Sequence, residues 1–307
     1  MNNIAPRTEN NPWLQILLLL GYAILGALVF SVIAMAIIIP LYGFDVILNL
    51  GAGNIEGANL NALRILQLFS SIGMFALPPV LLAKTEKIKT GIFYGFKAPN
   101  AILIIGVILL MVVSMPFMEW VVALNQKMTF PESFAKLEQW MRRMEDEAMR
   151  QTYAFLKISN GWDLPVNLFI IAIVPAIGEE LMFRGALQRT FSRLFSNHHF
   201  VIWITAFLFS AIHMQFFGFF PRMFLGAAFG YLYVWTGSLW YPIIAHFLNN
   251  AYAVIVAWYL QKQNIPLDSV DKTMEMHWSG YIVSGLLTLI VFLWIKRTAE
   301  KNNGKLD

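Results

Sequence analysis

The chain has 307 residues, 58% of them hydrophobic and 13% charged, with a net charge of +4 and no cysteine. Soluble domains run at about 45–50% apolar and about 25% charged, so this is the composition of a polytopic membrane protein. Disulfides and thiolate metal sites are excluded. The positive charge is spread over loops and the C-terminal tail, a positive-inside pattern rather than a nucleic-acid patch.

The opening stretch, MNNIAPRTENNP, lacks a charged n-region, and the apolar run after it, about 13–42, is too long for a signal-peptide core. It is expected to form a first transmembrane helix with length to spare for tilting. Further spans are expected at roughly 62–83, 100–123, 165–188, 200–217, 222–236, 239–260 and 279–296, judged against the ~20 residues that cross a bilayer. The span at 222–236 is short, but Gly226 and Gly230 give it the small-xxx-small spacing of close helix packing. The expected fold class is all-α, a membrane bundle of about eight helices. No repeat or low-complexity linker divides it, so 1–307 reads as a single integral membrane domain.

Lys84, Lys87, Lys89 and Lys97, then Arg189 and Arg193, then Lys296, Arg297, Lys301 and Lys305 fall on one side of an eight-span bundle, together with both termini. That side is expected to be the cytoplasmic face of a bacterial cytoplasmic membrane. The extramembrane segment 124–164 runs against this rule, with Lys127, Lys136, Arg142, Arg143, Arg150 and Lys157 on the opposite side. Within it, Phe134, Leu137, Met141, Met144 and Ala148 recur at helical spacing. An amphipathic helix is expected, either lying on the membrane or bundle or serving as a lid over a cavity.

The second half carries polar groups in otherwise apolar spans: Glu179, Glu180 and Arg184, then His213, then His246 and Asn250. Each intramembrane charge costs roughly 2.5–3.5 kcal/mol, so such residues point to function. Glu180 and Arg184 are i,i+4 and can pair within one helix. Glu179 is turned about 100° from Glu180, so the two carboxylates cannot serve one role. His246 and Asn250 are also i,i+4 and can face one pocket; Phe209 lies one turn before His213. Glu179 and His213 are 34 residues apart, and His213 and His246 are 33 apart. With the intervening turns these legs nearly cancel in depth, so three helices bring the groups to one level. Pro175 and Pro242 each lie four residues before a polar position and are expected to bend their helices there.

A carboxylate beside a histidine can hold a water and take its proton, and peptide hydrolysis also needs donors for the oxyanion. Glu179 is the expected general base and His213 its partner in positioning the water. His246 and Asn250 are the expected oxyanion donors, with Arg184 holding Glu180. No Ser-His-Asp set or cysteine points to covalent catalysis. His198 and His199 read as solvated turn residues, and His277 beside Trp278 as interfacial.

In order and spacing, EELMFR (179–184), FSAIH (209–213) and HFLNN (246–250) resemble the EExxxR, FxxxH and HxxxN motifs of the CAAX protease and bacteriocin-processing (CPBP, or Abi) family. The motif region covers about 165–260. The resemblance implies an eight-helix intramembrane endopeptidase like the type II CAAX prenyl endopeptidases. It implies Glu179 as base, His213 holding the water, His246 and Asn250 at the oxyanion, and Glu180, Arg184 and Phe209 in support. Its implied partners are membrane lipid and a membrane-associated, CAAX-type protein or peptide. No cofactor is favoured, but family members have been called metalloproteases, and Glu179, His213 and His246 are legitimate zinc ligands. Two other readings stay open: a non-catalytic membrane factor of the same fold, for immunity, secretion or scaffolding, and a proton-relay transporter.

Overall fold

The computed structural model describes residues 9–51, 59–267 and 276–302, and every regular element among them is helical. In chain order the principal helices are α1 (Pro12–Tyr42), α2 (Leu60–Thr85), α3 (Ala101–Gln126), α4 (Ala135–Leu156), α5 (Asp163–Leu194), α6 (His198–Ala211), α7 (Phe219–Thr236), α8 (Trp240–Lys262) and α9 (Trp278–Asn302). Six of these, α1, α2, α3, α5, α8 and α9, are long and apolar enough to cross a membrane. The chain is a polytopic helical membrane protein. Lys305 of the basic tail lies outside the described residues.

Local chemistry explains where the helices begin. The side chains of Asn11, Asn59, Asn100 and Asn197 accept first-turn backbone N–H groups of α1, α2, α3 and α6, each such cap contributing about 1 kcal/mol. Buried polar side chains then repair backbone breaks that lipid cannot solvate. Pro116 interrupts α3, and Ser284 of α9 bridges the gap, accepting from Phe117 N at 3.0 Å and donating to the Val113 carbonyl at 2.5 Å. Arg64 of α2 reaches Asp163 at the start of α5 in a buried ion pair of 2.7 Å, and Asp163 also accepts the backbone N–H groups of Ser159 and Asn160.

Three features differ from the sequence-based expectations. First, the span at 200–217 is cut short. α6 ends at Ala211, Met214 adopts a left-handed φ of 53°, and Phe216–Gly218 forms a 3-10 turn. A non-glycine residue in that region ends a helix. Side chains from other helices supply the lost hydrogen bonds: Glu145 accepts Phe217 N, Asn125 accepts Phe220 N, and Asn125 donates to the Phe216 carbonyl. His213 therefore sits in the turn beyond α6, not inside it.

Second, the two prolines are not equivalent. Pro175 follows a π-helical stretch, Leu168–Ile173. Pro242 falls in the first turn of α8, where the missing N–H breaks no intrahelical bond, so the expected cause of a bend is absent there. Third, only part of the apolar face predicted for 124–164 is covered. Met141 is buried in α4, whereas Phe134 and Leu137 are exposed. The helix docks from its second turn onward, with Trp140 against Phe216 and Arg142 over Phe217, while Phe134 and Leu137 at its start stay exposed.

Candidate active site

Glu179 and Glu180 lie at the end of the short α-helical piece Val174–Glu180, between π-helical stretches Leu168–Ile173 and Leu181–Gln188 of α5. Single-turn π features of this kind recur at functional sites. The two carboxylates point to different surroundings. Glu180 is fully buried, with Arg184 Nη1 2.8 Å from its Oε1. His246 Nδ1 lies 2.8 Å from the same oxygen. Because a carboxylate can only accept, Nδ1 carries the proton, and Nε2 is directed onward. Glu179 keeps 13% of its side chain accessible, with Oε2 at 3.9 Å from His246 Nε2.

Arg184 is a buried cation with its own housing. Its Nη2 donates to the Gly226 carbonyl of α7 at 2.8 Å, and one turn on, Gln188 donates to the Gly230 carbonyl at 3.2 Å. A Cβ at Gly226 would stand 3.2 Å from that Nη2, and one at Gly230 would stand 2.7 Å from Gln188 Oε1. The small-xxx-small pair thus admits polar side chains to backbone carbonyls as well as letting helices approach. Phe209 completes the housing. The Arg184 guanidinium lies 4.6 Å from its ring centroid, a cation–π contact strengthened by desolvation. The same ring meets His213 edge-on at 5.3 Å and His246 at 6.0 Å.

His213 Nδ1 lies 2.8 Å from the Phe209 carbonyl, so Nδ1 donates and Nε2 of the neutral ring is an acceptor. Asn250 Nδ2 donates to the Ile171 carbonyl at 3.0 Å, and its Oδ1 accepts from Asn249 at 3.2 Å. Pro175 has no N–H for the Ile171 carbonyl four residues earlier, so Asn250 meets an acceptor that the proline leaves short. One amide hydrogen of Asn250 is thereby committed.

Glu179, Phe209, His213, His246 and Asn250 all line one cavity of about 620 Å³. Glu180 and Arg184 stand behind its wall. Helix α4 contributes Met149, Tyr153 and Leu156 to the lining, and α3 contributes Met111, Met115 and Met118. Arg222 also lines it, a charged residue that sequence reasoning missed. It lies near the start of α7 in FFPRMF, where a lone arginine reads as an interfacial residue reaching to headgroups. Among the described residues no group of three or more His, Asp and Glu side chains is arranged to hold a metal ion. Glu179, His213 and His246 thus do not form a ready zinc ligand set. His198 and His199 are exposed, but they form the first two residues of α6 rather than a turn, with His199 bonded to Tyr231 at 2.7 Å. His277 is exposed and contacts Ser279.

A histidine-flanked carboxylate lines a cavity among the apolar helices of a polytopic membrane protein. Residues 161–252 match the family described as type II CAAX prenyl endopeptidase Rce1-like. The chain is 27% identical over 123 residues to the uncharacterized protein YpbD of Bacillus subtilis (strain 168), covering 39% of this chain and 58% of that protein. It is 32% identical over 98 residues to the membrane-embedded CAAX protease MroQ of Staphylococcus aureus (strain USA300), covering 30% of this chain and 39% of that one. The chain thus spans less than two thirds of either relative. No solved structure matches it.

Proposed function

We propose that the chain is an intramembrane endopeptidase that hydrolyses a peptide bond in a membrane-associated protein, near a CAAX-type end, by water activation without a covalent intermediate. The observation that carries this reading is the meeting of Glu179, His213, His246 and Asn250 on one cavity wall. The Glu180–Arg184 pair backs them from behind. Glu179 is the general base. The His213 Nε2 lone pair accepts from the attacking water, and its Nδ1–H on the Phe209 carbonyl fixes the ring.

His246 acts on the oxyanion. Its Nδ1–H is held by Glu180, and with a second proton on Nε2 the His246 and Arg184 cations are matched by the two carboxylates of Glu179 and Glu180. The remaining amide hydrogen of Asn250 is the second donor. As negative charge moves from Glu179 to the oxyanion, these donors follow it without reorganising, which is where such sites gain most of their rate. No step here is routed through a metal.

The same reading takes α6 and α7 as membrane crossings beside the six long helices, for eight in all, with both termini cytoplasmic. Peptide substrate approaches from the cavity side lined by α4, which then acts as a lid. The test is Glu179→Gln in purified protein reconstituted with candidate peptides and in native membranes. Turnover should fall about 10²- to 10⁴-fold, the usual contribution of a general base, while bound substrate accumulates. An unaltered biological output in that variant would mean the protein acts as a non-catalytic membrane factor.

A further inference from the structure

Several buried side-chain polar atoms have no hydrogen-bond partner among the described residues: they belong to Arg64, Asn167, Glu180, Arg184, Gln188 and Arg222. Of these residues, Arg222 is the one that lines the cavity holding Glu179 and His213. Its guanidinium is half committed. Nη2 donates to Gln215 Oε1 at 2.6 Å, while Nη1 is buried with no partner. Gln215 is held in turn by Glu145 of α4 at 3.5 Å. The fork is thus fixed along one arm, its other arm is buried without a partner, and Glu145 and Glu179 are the opposite charges that act on it.

Arg184 makes the contrast clear. Its charge is met by Glu180 and its second arm by a backbone carbonyl, so it is a structural cation. An arginine fork with one arm unpartnered in the lining of the cavity suits an acceptor brought by a ligand, and a carboxylate matches the fork best. The occupant is also bounded by size. A cavity of about 620 Å³ falls in the range of small-ligand sites and takes only a short stretch of extended chain. A chain end fits that space and brings a carboxylate with it. Met111, Met115, Met118, Leu225 and Val256 give the wall an apolar, adaptable part beside the polar Ser114, Glu119, Gln126 and Asn249.

We infer that Arg222 is a specificity-determining residue that binds the C-terminal carboxylate of the peptide through Nη1, setting which bond reaches Glu179. The inference rests on the endopeptidase reading for its meaning, but its binding can be measured without turnover. The probes are two dansylated apolar tetrapeptides, identical except for a free carboxylate or a carboxamide end. They are titrated against full-length Glu179→Gln protein in nanodiscs. The acid should bind about 10- to 100-fold tighter than the amide, the scale of a charge-assisted hydrogen bond.

Adding Arg222→Gln should make acid and amide bind alike, and Arg222→Lys should keep part of the preference. Equal binding of the two probes with Arg222 intact overturns the inference, as does a preference that survives Arg222→Gln. The probe comparison with Arg222 intact needs no second variant, so it decides even if Arg222→Gln does not fold. Displacement of both probes alike by anionic phospholipid would assign the guanidinium to a lipid phosphate and overturn it too. Cleavage of the same probes by the unsubstituted protein is scored separately. Acid preference without cleavage sinks the protease reading alone; cleavage without preference sinks the role of Arg222 alone.

Discussion

Glu179 and Glu180 are neighbours with opposite duties. Glu180 balances Arg184 and orients His246, all inside the protein. Glu179 faces the cavity. Arg184→Ala leaves a buried carboxylate without its cation, a change that costs about 3–5 kcal/mol. Thermal unfolding in detergent should register that loss, whereas Glu179→Gln should unfold close to the unsubstituted protein. A large stability loss in Glu179→Gln would contradict this division. The i,i+4 spacing made the Glu180–Arg184 pair legible in the sequence. It could not reveal that His246 shares the same carboxylate oxygen, which depends on how α5 and α8 cross. Nor did it reveal Arg222, because nothing in FFPRMF tells a cavity residue from an interfacial one.

At the scale of elements, the helices were legible because hydrophobic run length is a strong signal in a bilayer. Their interruptions were not. The π stretches in α5 leave no mark on an apolar run, and the end of α6 depends on Glu145 and Asn125 from elements far away in sequence. Pro175 and Pro242 look alike as letters, yet one lies inside a helix and the other in a first turn. The docking of α4 depends on Glu145, whose carboxyl is pushed above its ordinary range chiefly by burial, partly offset by the hydrogen bond from Phe217 N and by the charge of Arg222.

The sign of the pH effect follows. A group with a raised folded pKa stabilises the docked state fully below its unfolded value, and this is lost as pH rises through the raised value. Helix α4 should therefore exchange its amides faster as pH climbs past the ordinary carboxylate range. Exchange rates must first be corrected for intrinsic base catalysis. Glu145→Gln, which mimics the protonated form, should flatten the dependence. A corrected profile that is already flat in the unsubstituted protein would remove Glu145 from the docking account.

For the whole molecule, the first helix is tied to the motif helix at one end of the bundle. Glu9 pairs with Arg189 and Arg193, and Gln15 links Arg193 to Glu86. The start of α1, the loop after α2 and the end of α5 are thereby gathered at a single face, the one the basic loops mark in the sequence. An eight-crossing topology puts the end of α9 there too. Reporters placed after Asn302 and in the 84–97 loop should give the same sidedness; opposite sidedness would remove one crossing from the count. That arrangement was legible from charge, but its fastening was not, because it pairs groups that lie 180 positions apart in sequence.

The two carbonyls of Gly226 and Gly230, each gripped by a side chain of α5, act as a two-pin connector. A slip of one residue would present Ala227 and Tyr231 instead, and a slip of a full turn, about 5.4 Å, would leave one pin empty. The depth of α7 against α5 is therefore fixed in the protein's own frame. A bundle pinned in this way is expected to meet a thinner or thicker bilayer as a unit rather than by sliding α7 along α5. The reaction level stays put while its membrane changes around it.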